Sequence, residues 1–485
     1  MFVAGMNDID AVYIDRVDLG GLAVSGLDKL STLDPSMQLE RVGSTVELRV
    51  AGKTEALFDA PEEDAATDWG VLTASYLAAA ERASPAVAKA TPEQLYETVF
   101  NGMVAELDGF SRYAGAATAA ENRASREGFG GIGVRIAVAD GKVRVVSVMK
   151  YTPAQRAGMR PDDEILTIDG EPVAGLVQEQ VVERLRGPVD SPVLLTVSRD
   201  TQPQPIEIRM TRAHIVPETV VYEREGDAAY IHLYGFNADT VESLRREIDE
   251  AEDEIGSEFA GLVLDLRNNP GGLLDQAVEV SDLFLDDGRI VSTHGRHPDS
   301  HQFFEATEGD VLDGRPLIVL VNGNSASASE IVAAALQDTG RAVVIGSNSF
   351  GKGTVQTVLR LPNSGELTLT WARFHAPSGY TLNKLGVLPT ICTSGHKAEQ
   401  LFTDLRHDRL KPVPVAQRNA VAPTDIEAMD RLRAECPQVK DEPPVDLDLA
   451  LRLIHALPLY ERAIALAGQP TLTVSSDSAP GEVTP

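Results

Sequence analysis

Two short runs in the second half of the chain, Leu262–Leu266 and Leu317–Val321, are apolar at nearly every position and end in polar, Gly-containing turns. Runs of this length are too short for a buried helix and read as strands covered on both faces. Each is followed by a segment with helical spacing, and buried strands alternating with helices are the pattern of an α/β domain. The alternation extends on both sides: strand Ala229–Tyr234, helix Val241–Glu254, helix Leu273–Leu285, helix Ser329–Asp338 and strand Ala342–Ile345. Residues 214–396 are therefore expected to form an α/β domain.

The chain has 485 residues, enough for two to four domains. Residues 127–213 have a different grammar. Strands are expected at Gly133–Val138, Lys142–Val148, Glu164–Ile168 and Pro192–Arg199, separated by the turn signals Asp140-Gly141 and Asp169-Gly170. With a helical turn at Pro153–Gly158 and a short amphipathic helix at Gln178–Arg186, this reads as a small barrel of about five strands and two helices. Residues 67–126 are helical in pattern, with Thr91 as N-cap and Pro92 at the first position. Residues 1–66 are mixed, with a strand hint at Val46–Val50 and a linker at Pro61–Thr67. Residues 397–467 form a polar, Pro-broken extension with one helix expected over Leu447–Leu466, and residues 468–485 read as a disordered tail. No internal repeat is visible.

Hydrophobic residues make up 43% and charged residues 24%, a globular composition. The formal charge of −30 repels phosphate backbones and anionic lipid, which argues against nucleic acid as a partner. No apolar run approaches the ~20 residues of a membrane span. Two cysteines, Cys392 and Cys436, allow at most one bridge, and two free thiols are an equal alternative. The start, MFVAGMNDID, lacks a basic segment and carries Asp8 and Asp10, so it is not read as a secretory signal; either the protein is cytoplasmic or its true start lies upstream.

Three Gly-rich stretches compete for chemistry. Gly128–Gly133 fits a dinucleotide fingerprint, but a helix precedes it and a strand follows, the reverse of what that motif needs. A Gly-rich loop leading into a strand can instead hold a peptide carboxylate. Gly346–Gly353 resembles a phosphate loop but has Gly353 where a hydroxyl should follow Lys352, and a strand where a helix should start. The third, Asn268-Asn269-Pro270-Gly271-Gly272, joins a strand to a helix and could offer N–H groups to an oxyanion. After Leu317–Val321, Ser325, Ser327 and Ser329 alternate with alanines at a helix start; each fits an N-cap, and one could be a nucleophile. The stretch lacks the Gly-x-Ser-x-Gly nucleophile elbow. His294, His297 and His301 cluster in a loop without helical ligand spacing or a clear carboxylate partner, so no metal is assigned there. A Ser–His–Asp triad and a Ser–Lys dyad both remain open from spacing alone.

Six motifs in order resemble the carboxyl-terminal processing peptidases, PDZ-containing serine peptidases. They are Gly-Phe-Gly-Gly-Ile-Gly (128–133), Pro-Ala-x-x-Ala-Gly (153–158), Asp-Glu-Ile-Leu-x-Ile-Asp-Gly (163–170), Leu-Asp-Leu-Arg-Asn-Asn-Pro-Gly-Gly (264–272), Ser-Ala-Ser-Ala-Ser-Glu-Ile (325–331) and Phe-Gly-Lys-Gly-Thr-Val-Gln (350–356). The resemblance implies a multidomain α/β fold: a peptidase core, an inserted PDZ domain and a helical N-terminal segment. It implies Ser327 as nucleophile, Lys352 as base and Gln356 as the residue orienting that lysine. It further implies an oxyanion hole from the N–H groups of Gly271 and Ala328, with Gly272 as fallback, and no metal or cofactor. Gly131, Ile132, Gly133 and Val134 would line the PDZ groove for a substrate's free C-terminus, opposite the helix Gln178–Arg186. The family favours a periplasmic or other extracytoplasmic location and leaves room for a homo-oligomer. Asp162 and Asp190 stand where PDZ turns usually have glycine, and Asp108-Gly109-Phe110-Ser111 replaces the family's Asp-Pro form. The rival from another class is a non-catalytic PDZ scaffold that binds tails; a P-loop ATPase is a weaker rival.

Overall fold

Leu317–Val321 is a strand with every residue buried, at the centre of a six-stranded sheet. The structure is a computed structural model in which residues 1–467 are described; the expected disordered tail at 468–485 lies outside them. The chain divides into two units: residues 1–220, 236–244 and 356–370, and residues 221–235, 245–355 and 371 onward.

In the second unit the sheet runs Val220–Glu225, Ala228–Leu233, Gly261–Asp265, Leu317–Val321, Val343–Gly346, Ile391–Cys392, and the last five strands are parallel. The apolar runs are buried because one face packs on helices of the C-terminal extension: Val263, Ile318, Leu320 and Val343 share a core with Leu449, Leu453 and Tyr460. Helices Leu274–Asp282 and Ala328–Asp338 follow their strands as the sequence predicts. The single helix expected over Leu447–Leu466 is two, Pro444–Ile454 and Leu457–Ala467. Pro458 has no N–H to give and its ring clashes with the preceding turn, so it sits at the start of a new helix rather than inside one. Three shorter helices, Ala398–Arg406, Val415–Asn419 and Ile426–Ala434, fill the stretch before them.

In the first unit, five antiparallel strands run in the order Ile206–Thr211, Pro192–Ser198, Glu164–Ile168, Lys142–Val148, Val134–Ala139, with helices Pro153–Arg156 and Gln178–Leu185. Asp162 and Asp190 keep the turns glycine would make: their φ values are +68° and +67°. Aspartate enters this left-handed region more readily than most residues. The N-terminal residues hold two helices the sequence reading did not assign, Phe2–Val12 and Leu19–Asp28, before the strands Met37–Val42, Thr45–Val50 and Lys53–Asp59. Phe2, Met6 and Ile9 form one apolar stripe at helical spacing, packed in a core with Trp69, Tyr76 and Phe100.

Candidate active site

The strands Gly261–Asp265, Leu317–Val321 and Val343–Gly346 are neighbours in parallel register, so the chain leaves all three at one edge of the sheet. In open α/β sheets that carboxyl edge is where ligands bind. The three departing segments are Arg267–Gly272, Asn322–Ser327 and Ser347–Gly353. Sequence reasoning singled out these stretches separately; the topology brings them to one edge.

The three serines have different employment. Ser325 Oγ donates to the Leu266 carbonyl (2.8 Å) and accepts from the Asn322 N–H (2.9 Å). Ser329 Oγ donates to the Ala326 and Asn269 carbonyls (2.8 and 3.0 Å). Ser327 Oγ takes no cap hydrogen bond. The Glu330 N–H that a capping serine would receive donates to the Ser327 carbonyl instead (2.9 Å). Ser327 is 8% exposed, and its backbone is strained, at φ +59° and ψ −115°. Such a conformation costs roughly 1–3 kcal/mol and persists only where the surroundings enforce it. A sharp strand-to-helix turn is therefore present although the Gly-x-Ser-x-Gly signature is not.

Glu330 does the enforcing. It is fully buried, one turn into the helix Ala328–Asp338. Its Oε2 accepts from the N–H groups of Ser327 (2.8 Å) and Lys352 (2.9 Å). Its Oε1 accepts from the Gly351 N–H (2.7 Å) and from Ser349 Oγ. One carboxylate thus pins the backbone of Ser327 to that of Lys352. Burial pushes its pKa up, and the four donors pull against that shift. The lysine turn is held from two other directions: the Lys384 N–H donates to the Gly351 carbonyl (2.8 Å) and the Phe374 N–H to the Gly353 carbonyl (2.9 Å). Locally, Ser327 to Glu330 has only the spacing of a capping box; the contacts of Glu330 to Ser349–Lys352 depend on strand order, which no local spacing reveals.

Gly271 lies against the same turn. At φ +97°, a Cβ there would come within 2.7 Å of the Ala326 carbonyl oxygen, 2.8 Å of Ser327 Cβ and 2.9 Å of Ala328 N. Only glycine permits that approach. Its N–H, however, already donates to Asn269 Oδ1 (2.8 Å), so the first donor assigned to an oxyanion hole is occupied in this conformation. The Ala328 N–H has no acceptor among the described residues.

Buried ion pairs support the Gly271 turn from behind. Arg267 binds Asp265 and reaches Asp446 (3.2 Å), and Tyr230 OH donates to Asp265 (2.6 Å). The C-terminal extension also holds the other two turns. The Gly323 N–H donates to the Val439 carbonyl (2.7 Å), and the Val439 N–H donates to Ser347 Oγ (3.0 Å). Beside these contacts Cys392 and Cys436 form a disulfide across a sequence separation of 44 residues. Of the two equal expectations for the cysteines, the bridged one is found. By loop-closure entropy such a bridge stabilises by about 4 kcal/mol. Reductant is expected to lower the melting temperature of the wild type and to leave Cys436→Ser unchanged. An unshifted wild-type melting curve under full reduction would show that the bridge contributes nothing.

In the first unit, Gly131, Ile132, Gly133 and Val134 line one groove with Gln178, Val182, Leu185 and Arg186. Ile136, Met149 and Ile215 make its interior apolar. Arg186 lies over the Phe129 ring (4.0 Å to its centroid), and its Nε is buried with no hydrogen-bond partner among the described residues. Gln356 belongs to this unit too, on the strand Thr354–Arg360, and donates to Thr370 Oγ1 (3.2 Å).

Residues 227–393 match peptidase family S41 and residues 144–199 match a PDZ domain. A carboxy-terminal-processing protease of Bartonella bacilliformis is 43% identical over 301 residues, covering 62% of this chain and 69% of its own. The chain belongs to peptidase family S41. It is a serine-type peptidase, and the expected fold class, an α/β peptidase core with a PDZ domain, holds. A probable CtpA-like serine protease of Staphylococcus aureus (strain bovine RF122 / ET3-1) is 33% identical over 321 residues, covering 64% of this chain. The chain spans 63% of that relative's length. A solved photosystem II D1 C-terminal processing protease is 26% identical, with 80% of this chain and 91% of that one covered and a TM-score of 0.40.

Proposed function

We propose that this S41 peptidase cuts protein substrates near their C-termini, with Ser327 as nucleophile and Lys352 as general base. Ser327 carries the reading. It is the one serine of its run whose hydroxyl is not spent on the turn, and the carboxylate that pins its strained backbone also pins Lys352. The neutral amine of Lys352 takes the Ser327 hydroxyl proton as Oγ attacks the scissile carbonyl carbon. The resulting oxyanion is held by the Ala328 N–H and by the Pro-Gly-Gly turn, through Gly271 once Asn269 Oδ1 releases it, or through Gly272. Lys352 then returns its proton to the leaving amine. Water then attacks the acyl-enzyme carbonyl, giving a proton to the Lys352 amine, which passes it to Ser327 Oγ as the ester bond breaks and the dyad is restored. Gln356 has the role the family resemblance gives it, orienting Lys352.

The PDZ groove takes the substrate tail. Val182, Leu185 and Ile215 suit an apolar last residue, and Arg186 offers a cation for its carboxylate. A charge-assisted hydrogen bond of this kind contributes roughly 1.5–3 kcal/mol, about 10- to 100-fold in affinity. A protein substrate with an apolar tail should therefore be cut near its end, with the sites read by mass spectrometry. Amidating the tail should weaken binding, measured by fluorescence polarisation, by that factor. Binding without any cleavage would favour the scaffold reading, and equal binding of free and amidated tails would remove the role of the groove.

A further inference from the structure

Three of the histidines meet in the second unit. His294 ends the strand Arg289–His294, His301 follows the short turn Pro298–Ser300, and His375 ends the strand Glu366–His375. Pairing of Ser292 with His375, and of His294 with Arg373, brings His375 beside His294. The His294 ring centroid lies 5.3 Å from that of His301 and 5.0 Å from that of His375. The trio differs from the loop cluster visible in the sequence: His297 is engaged with the Asp299 N–H (3.2 Å), and His375 takes its place.

The nitrogen chemistry is specific. His301 Nε2 lies 3.0 Å from the Gly295 carbonyl oxygen. A carbonyl only accepts, so the ring hydrogen sits on Nε2 and His301 Nδ1 keeps a lone pair. This is the arrangement in which a metal-binding histidine is usually held, its second nitrogen donating to a backbone carbonyl. His301 Nδ1 faces His294 Nδ1 at 3.3 Å. Two nitrogens that share a tetrahedral zinc ion at ~2.0–2.1 Å stand about 3.3–3.4 Å apart. His375 Nδ1 is buried with no hydrogen-bond partner among the described residues.

We propose that His294, His301 and His375 bind one divalent transition-metal ion of the imidazole-seeking class, such as Zn²⁺. His294 and His301 form the ready pair, and His375 turns its ring to join them. Without metal, His294 Nδ1–H donates to His301 Nδ1. On binding, that hydrogen moves to His294 Nε2, so both nitrogens coordinate with no net change of protons. Arg289 beside His294 and Arg373 beside His375 oppose added positive charge, which weakens the site relative to one without cationic neighbours. A second grouping, His232, Asp265 and Glu442, already brings its donor atoms within 4.8 Å of one another, which the three histidines do only once the His375 ring has turned. There the Asp265 carboxylate is already taken by Arg267 and Tyr230.

The test is calorimetric titration of the chelator-treated full chain with zinc chloride, with the fold of each variant checked by circular dichroism. One saturable site is expected. His301→Asn and His294→Asn should each weaken it at least roughly tenfold and His375→Asn should weaken it measurably, whereas His297→Asn and Glu442→Gln should leave it unchanged. Cobalt(II) in the same site should show the intense visible bands of four-coordinate nitrogen ligation in the wild type and lose them in His301→Asn. Absence of saturable binding, binding that survives both His294→Asn and His301→Asn, or binding abolished by Glu442→Gln would each overturn the proposal.

Discussion

Ser327→Ala is expected to reduce peptide hydrolysis by roughly 10⁴- to 10⁶-fold, the loss seen when a nucleophile that acts as a unit with its base is removed. Lys352→Ala should do the same, and the double variant should be little worse than either single one. Lys352→Arg should not rescue activity, because a guanidinium stays protonated and cannot take the serine proton. The folds should survive. Alanine at 327 keeps the Cβ and hence the strained backbone at φ +59°, and no hydroxyl hydrogen bond of the turn is lost. Its melting temperature should match the wild type within error. Ser327→Gly separates the two roles of this residue. It should be equally inactive, yet glycine tolerates positive φ, so relief of strain should offset its greater loss of freedom on folding. Cleavage of a tail-bearing protein substrate and thermal unfolding, measured side by side, check each claim. Substantial turnover in Ser327→Ala or Lys352→Ala would remove the dyad from the mechanism.

Much of this fold could be read from the chain because the informative segments are governed by local rules. The strand Leu317–Val321 is legible to the residue, since a fully apolar run between polar turns has few alternatives. The barrel strands alternate cleanly, and their Asp-Gly turns carry the conformation in the residues themselves. What the sequence hid depends on contacts between distant segments. Glu330 reads locally as a cap, yet three of its four donors come from residues 349–352, placed there by strand order. The occupation of the Gly271 N–H by Asn269 follows from a side-chain rotamer that spacing does not encode. Asp446 is the buried partner of Arg267 across 179 residues of chain, and nothing in the polar extension marks it out among its acidic neighbours. His375 joins His294 through strand register, whereas His297, nearer in sequence, turns elsewhere. The helices at Phe2–Val12 and Leu19–Asp28 belong to a different class of miss. Their apolar spacing is present, but short Gly-containing segments are weak helix formers, and packing decides them.

Glu330 is the residue whose loss should be felt most in both stability and turnover without touching the reacting atoms. Glu330→Ala leaves the N–H groups of Ser327, Gly351 and Lys352 buried with no acceptor. Each such orphan costs roughly 1–3 kcal/mol, so a loss of about 4 kcal/mol or more is expected. Glu330→Gln is the sharper probe. Its shape is nearly the same, but one oxygen becomes an amide that can only donate, set against N–H groups that also donate. It should cost about 2–3 kcal/mol, less than the alanine, because one accepting oxygen survives. Chemistry should suffer beyond this, since the carboxylate is what holds the strained Ser327 backbone in register with Lys352. A displacement on the order of 1 Å at a reacting group is enough for a roughly 100-fold loss of rate. The expected pattern in Glu330→Gln is a kcat lowered by about that factor, while tail-peptide affinity for the groove at Gly131–Val134, in the other unit, stays at its wild-type value. Denaturant unfolding and single-turnover kinetics on the same preparations separate the two effects. Wild-type stability in Glu330→Ala would mean that the four hydrogen bonds hold nothing together; wild-type kcat in a destabilised Glu330→Gln would confine this carboxylate to folding and leave the alignment of Ser327 with Lys352 to other contacts.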